Sequence, residues 1–298
     1  MKFLSKKIIF FVIFLLFFSF SVKAVDNTMT AEEKKDQAIE ILQHEIAVLQ
    51  MLIKNISLSS SSSYNITAKS YLALDINDNN VLLESNADEP ESIASITKLM
   101  NAVVAEENID KNQSITLTNE MLDQEGQSPS LYSGLNISFE NLLKASLIQS
   151  VNDAAESISY FKGKEKFLDS MNQKAKELEM NNTTFVDVNG LNKDNKSTAK
   201  DLAKLVSYVY NNHRDLLDIT KSNDFWLKDQ KGKLLKFYNV NNFYYVPQFL
   251  GGKTGYLPEA RQNIASVFNV NGKPIAIITL NSANRQADTL AILNMLEK

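Results

Sequence analysis

The 298-residue sequence contains no cysteine. A disulfide framework and a thiol nucleophile are both excluded, and the folded state must draw its stability from a hydrophobic core. Histidine is nearly absent too, with only His44 and His213. One lies on the polar side of an expected helix and the other at an expected helix end. That is too little for a Ser-His-Asp enzyme or a His-rich zinc site, so neither a metal nor another cofactor is expected. Arginine is limited to Arg214, Arg261 and Arg285, and acidic residues outnumber basic ones by 35 to 31. An acidic chain argues against nucleic acid as a partner.

The apolar content is 44%, enough for one sizeable core with a smaller appendage. Lys2, Lys6 and Lys7 precede the apolar run Ile8 to Phe20, and Val22-Lys23-Ala24 then offers small residues where a signal peptidase reads. Residues 1–24 are expected to be a signal peptide cleaved after Ala24, making the protein exported, periplasmic or cell-wall associated. An uncleaved membrane anchor is the alternative, since a span needs roughly 20 apolar residues. Cleavage removes four lysines and no acid, moving the formal charge from -4 to -8.

Within residues 25–56, Ile39, Leu42, Ile46, Leu49, Ile53 and Ile56 alternate by three and four, the spacing of a short coiled coil. This predicts an amphipathic helix that either self-associates through residues 38–56 or packs on its own catalytic domain. Residues 57–67 are a Ser-rich linker that buries little. The remaining residues, 68–298, form the main domain.

That domain opens with a hairpin, Ala68 to Asp75 returning over Val81 to Glu84 across an Asn/Asp turn. Helices follow over Ile96 to Glu107, Phe139 to Gln149 capped by Ser138, Lys164 to Glu179, and Ala199 to Asn211, where Thr198 and Asp201 make a capping box. Strands return at Leu234 to Val240, Phe249 to Tyr256, Ile264 to Val270 and Pro274 to Leu280, with Asn271-Gly272 as a hairpin turn. Gln286 to Glu297 closes as a helix. Strands at both ends with helices between them predict an α+β fold: one antiparallel sheet flanked by helices, with a helical lobe beside it. Chemistry is expected in the cleft between them.

Three short motifs run in order along this domain: Ser95-Ile96-Thr97-Lys98, Ser150-Val151-Asn152 and Lys253-Thr254-Gly255. Each alone is weak, but all three fall at element junctions. With the contexts Ile93 to Met100, Ser150 to Ala155, Gly190-Leu191 to Ala199 and Gly252 to Gly255, the chain resembles the serine penicillin-recognising enzymes from about Ala68 to its C-terminus. Within them it resembles the D-alanyl-D-alanine carboxypeptidase and endopeptidase family. The resemblance implies the DD-peptidase/β-lactamase fold, a peptidoglycan peptide ending in D-Ala-D-Ala as substrate, and β-lactams as covalent inhibitors.

It also implies roles. Ser95 is the nucleophile at a helix start, where developing negative charge is favoured, and Lys98 one turn later is its base. A base must be neutral part of the time, so the lysine pKa must fall from about 10.4 toward the working pH, at a cost of about 4 kcal/mol. Burial and a second cation, Lys253 on a facing strand edge, are expected to supply this. Ser150 relays a proton to the leaving nitrogen and Asn152 binds the substrate carbonyl. The N–H groups of Ser95 and Tyr256 form the oxyanion hole. Lys253 and Thr254 hold the terminal carboxylate, with Arg285 as a weaker candidate, and Gly255 leaves room for substrate backbone. Arg261 stands where relatives carry a glycine, which bears on the loop after the third motif.

Two rival readings are a serine β-lactamase and a wall-binding protein without turnover. The first needs a deacylating glutamate; Glu177 to Asn181 resembles the lactamase loop but sits at a helix end. The second is disfavoured by three intact motifs. The residues leave carboxypeptidase and endopeptidase open, and the short C-terminus after the sheet leans toward the latter. His213 is read as structural. Trp226 and the Phe243-Tyr244-Tyr245 cluster are expected in the core or on the cleft rim, with glycan contact as the minor reading.

Overall fold

In the computed structural model the described residues are 65–126 and 130–297. The expected signal segment, the amphipathic helix with its self-association, and most of the serine linker lie outside them.

The main domain opens with β1 (Ser70–Asp75) and β2 (Asn80–Ser85), and its last strands are β9 (Phe249–Leu257), β10 (Arg261–Val270) and β11 (Lys273–Ser282). These five form one sheet in the order β2-β1-β11-β10-β9, and its four pairings are all antiparallel. The first and last strands of the domain therefore meet at β1–β11, where Ser70 lies opposite Leu280. β11 is buried at every position from Pro274 to Leu280. A strand so continuously apolar needs cover on both faces. The last helix, Arg285–Leu296, packs on it, as does the helix Ala199–Asn212. The β10–β11 connection is the expected tight turn, with Asn271 and Gly272 both at positive φ (53° and 85°).

Between the sheet's two halves come β3 (Glu91–Ser92), a 3-10 turn at Ala94–Ile96, α1 (Thr97–Asn108), β4 (Ser114–Thr116), β5 (Asn136–Ser138), α2 (Phe139–Ile148), α3 (Asn152–Ser159) and α4 (Lys164–Glu177). β6 (Lys196–Ser197), α5 (Ala199–Asn212), α6 (Arg214–Thr220), β7 (Asp224–Lys228) and β8 (Leu234–Tyr238) follow, and the terminal helix is α7. The lobe's core is built from residues such as Leu99, Val103, Phe139, Leu142, Phe167 and Met171, all fully or almost fully buried.

Local signals set several boundaries. Ser138 Oγ accepts from Asn141 N at 3.3 Å to start α2, and Thr198 Oγ1 accepts from Asp201 N at 3.1 Å to start α5. The capping box at α5 is one-sided. Asp201 turns its carboxylate to Asn182 N (2.8 Å) and Thr183 Oγ1 (3.0 Å), pinning the preceding loop rather than closing the cap. His213 ends α5 and bridges Glu106 (3.0 Å) and Glu107 (3.3 Å) of α1, a structural position. Arg261 adopts φ 52°, the left-handed conformation that a glycine would take there.

The expectations missed α3, α6 and β7, and also the two- and three-residue strands β3, β4, β5 and β6. α3 is a helix whose Asp153, Glu156, Ser157 and Ser159 are all buried. It is eight residues long and buries Ala154, Ala155 and Ile158 among these polar groups, too short an apolar pattern to mark a helix.

Candidate active site

Ser95 sits in the 3-10 turn that leads into α1, and Lys98 lies one turn on, fully buried. Lys98 Nζ is 2.9 Å from Ser95 Oγ and 2.7 Å from Asn152 Oδ1, and it also donates to the carbonyl of Asn189. Asn152 opens α3 and donates through Nδ2 to the Glu125 carbonyl at 2.7 Å, which fixes Oδ1 toward the lysine. Ser150, two residues earlier, stands at φ 60°. Its Oγ accepts from Lys253 Nζ at 2.8 Å, and the same ammonium donates to the Thr254 carbonyl at 2.9 Å. All three motifs are thus brought to one cleft, two hydroxyls each held by a buried lysine.

Burial lowers Lys98 to about 7, against the nearby carboxylate of Asp187. Lys253 is also pushed well below the ordinary lysine range, by burial first and then by the charges of Lys98 and Arg285. This differs from expectation in one respect. Burial does the work at Lys98, and the repulsion between the lysines is felt chiefly at Lys253.

The partners of Lys98 decide what losing its proton does. As an ammonium it donates to all three. As a neutral amine it has two protons and a lone pair, and Asn152 Oδ1 and the Asn189 carbonyl can only accept. The lone pair must then face Ser95, whose hydroxyl alone has a proton to give. Deprotonation of Lys98 reverses the Ser95–Lys98 hydrogen bond.

Gly255 differs from its expected role. A Cβ there would stand 2.5 Å from the Ile93 carbonyl and 3.1 Å from Ser95 N, so it is the protein's own turn that excludes a side chain. β9 is thereby seated against the backbone of Ser95. Thr254 is buried beside Lys253, whereas Tyr256 is 62% exposed at the cleft edge. Arg285, first residue of α7, donates from Nη1 to the Gly255 carbonyl at 3.1 Å, which ties it to the third motif.

Two residues were missed. Asn189 contributes only its backbone carbonyl to Lys98, and a carbonyl leaves no trace in a sequence. Asp187 shapes the loop that presents it, accepting from Gly190 N (2.6 Å), Asn192 N (2.6 Å), Asn195 Nδ2 (2.8 Å) and Asn189 N (3.1 Å). The run of Asp and Asn from 187 to 195 was the signal available, since such residues organise turns. Glu177 ends α4 and pairs with Lys174 at 3.0 Å, while Glu179 is held to α5 by Lys204. That segment is a helix terminus, as expected, and it offers Ser95 no deacylating glutamate. Among the described residues no cluster of three or more His, Cys, Asp or Glu is arranged to hold a metal.

A serine hydrogen-bonded to a buried lysine, beside a second serine–lysine pair on an α+β scaffold, fits a serine-type peptidase. Residues 57–284 match the D-alanyl-D-alanine carboxypeptidase family, and the chain belongs to it. It is 33% identical to a D-alanyl-D-alanine endopeptidase of Haemophilus influenzae, covering 78% of this chain and 81% of that protein. A D-alanyl-D-alanine endopeptidase of Escherichia coli is 30% identical, with 78% and 77% covered. The carboxypeptidase DacF of Bacillus subtilis is 30% identical over 71% of this chain but 57% of its own length. The fold is that of a solved D-alanyl-D-alanine carboxypeptidase of Mycobacterium tuberculosis, at TM-score 0.72 and 22% identity, covering 78% of this chain and 93% of that one. It is also that of a Streptomyces DD-transpeptidase, at TM-score 0.71 and 24% identity, covering 79% and 98%.

Proposed function

We propose that the protein cleaves peptide bonds following D-alanine in peptidoglycan stem peptides through an acyl-enzyme on Ser95. Neutral Lys98 takes the Ser95 proton as Oγ attacks the carbonyl carbon. The oxyanion forms against the N–H groups of Ser95 and Tyr256. The carbon–nitrogen bond then breaks, and Ser150 passes a proton to the departing amine. Water hydrolyses the ester, releases the acid and restores Ser95. Lys253, Thr254 and Arg285 receive the substrate carboxylate, whose charge favours the ammonium form of Lys253. Asn152 orients the substrate carbonyl. The observation that carries this reading is the single set of hydrogen bonds joining Ser95, Lys98 and Asn152 inside a buried cleft. The endopeptidase form is favoured, because the endopeptidases are the relatives matched over most of their own length. Such a reaction belongs outside the cytoplasmic membrane, in keeping with the N-terminal signal pattern.

The test is acylation by benzylpenicillin followed by peptide mapping. One equivalent of covalent adduct on the peptide containing Ser95, with slow release, is expected. Absence of adduct at active concentrations of the drug would leave only a wall-binding role, and fast release of hydrolysed drug would favour the lactamase.

The same reaction has a signed pH dependence. Because Lys98 must be neutral to act, the second-order acylation rate should rise about tenfold per unit below pH ~7 and then level off, reporting the free enzyme. A rate flat from pH 5 to 8 would exclude Lys98 as the base.

A further inference from the structure

The β7–β8 hairpin has two unlike faces. On the inner face Phe225 and Phe237 stack, with centroids 4.6 Å apart and planes 9° from parallel, and this face packs on α2. On the outer face Trp226 stands opposite Lys236, with Leu234 and Tyr238 two residues to either side of that lysine. Trp226, Leu234 and Tyr238 are 47%, 54% and 44% exposed, and Val240 just beyond the strand is 42% exposed. Apolar side chains gathered in this way on one hairpin mark a binding surface.

The surface is built. The Lys236 ammonium lies 4.1 Å from the centroid of the Trp226 ring and 4.3 Å from that of Tyr238, so one cation fixes both rings. The hairpin is basic in an acidic protein: Lys228, Lys231, Lys233 and Lys236 lie within nine residues whose only acid is Asp229. Its base is tied to both sides of the catalytic cleft. Val240 N donates to the Ile148 carbonyl at 3.1 Å and Tyr238 N to Gln149 Oε1 at 3.2 Å, immediately before Ser150. Asn241 Nδ2 donates to the Gly252 carbonyl at 3.3 Å, immediately before Lys253.

We infer that this outer face is a subsite for the peptidoglycan strand that departs in an endopeptidase reaction, an amino-sugar polymer with an anionic stem peptide. The inference rests on the endopeptidase reading above. Flat aromatic rings accept the apolar C–H faces of pyranose rings while their polar edges stay wet. The lysines match the carboxylates of the stem peptide. The position also fits, because the hairpin is anchored beside Ser150, the group placed at the departing nitrogen. A carboxypeptidase releases a single amino acid and gains nothing from such a surface. An endopeptidase releases an entire strand.

Two measurements test this. In an inactive Ser95→Ala background, co-sedimentation with purified sacculi should fall about fivefold on adding Trp226→Ala, and Trp226→Phe should restore most of it. In the active enzyme, kcat/KM for a cross-linked muropeptide dimer should fall about tenfold in Trp226→Ala, mainly through KM, while acylation by benzylpenicillin stays within about twofold of the parent. Unchanged sedimentation overturns the subsite. So does a parallel loss of dimer cleavage and acylation, which would make Trp226 a support for the cleft itself. A parent that benzylpenicillin fails to acylate removes the hydrolase reading, and sedimentation still decides the subsite.

Discussion

Replacing Lys98 by Met is expected to slow acylation by benzylpenicillin about 10²- to 10⁴-fold, the range for losing a positioned general base, without unfolding the protein. Methionine has nearly the same length and no amine. Stability should move the other way. The lysine pKa drops from 10.5 in an unfolded chain to about 7 here. Between those values the unfolded chain binds more protons, so this group's contribution to stability rises with pH, and below about 7 its full penalty is present. That penalty is at most about 5 kcal/mol by the free energy of such a drop, and the three lost hydrogen bonds give back about 1 kcal/mol each. A net gain of about 2 kcal/mol at pH 6, reversing to a net loss of about 2 kcal/mol by pH 10, is expected from denaturant melts. A Lys98→Met enzyme acylated within tenfold of the parent rate would show that another group serves as base.

Gly190→Ala should be strongly damaging. Gly190 stands at φ 87°, and a Cβ there would overlap the Ala94 carbonyl and stand 2.9 Å from Ser95 Cα. Its N–H is bound by Asp187, and its neighbour Asn189 supplies the carbonyl that receives Lys98. The methyl therefore pushes apart the turn holding Ser95 and the loop holding Lys98. Backbone strain costs about 1–2 kcal/mol and the overlap about 1–3 kcal/mol more. A Tm fall of about 5–10 °C, with acylation down at least about tenfold, is expected. Gly163→Ala isolates the strain, because Gly163 has φ 88° and no atom within 4 Å of a Cβ. If the two variants melt together and acylate alike, the contact with Ser95 is immaterial.

The parts of the fold that the sequence made legible are those with local causes. Ser138 and Thr198 cap helices through their own side chains, and Asn271-Gly272 turns the chain because those two residues tolerate positive φ. The three motifs were legible as short patterns, and each lands in the cleft. α3 stayed hidden because it is eight residues long and buries Asp153 and Glu156 alongside Ala154, Ala155 and Ile158. β7 is five residues long and becomes a strand through its pairing with β8, a contact between segments that hydrophobic alternation in either one does not specify. Asn189 acts through a backbone atom, and Gly255 owes its smallness to a neighbour 160 residues away in the chain. Side-chain chemistry could be read from residue types. Contacts made by backbone could not.

The pairing of β1 with β11 also governs how the domain comes into being. Ser70 and Leu280 are joined across most of the chain, and closing so long a loop is an entropic cost met before the sheet repays it. β1 can recruit β2 early as a bare hairpin, which alone is marginal in water. The central position of the sheet, that of β11, stays vacant until the last tenth of the polypeptide arrives. A growing or threading chain consequently completes its sheet, and with it the setting of Lys253 on β9, only when that late segment arrives.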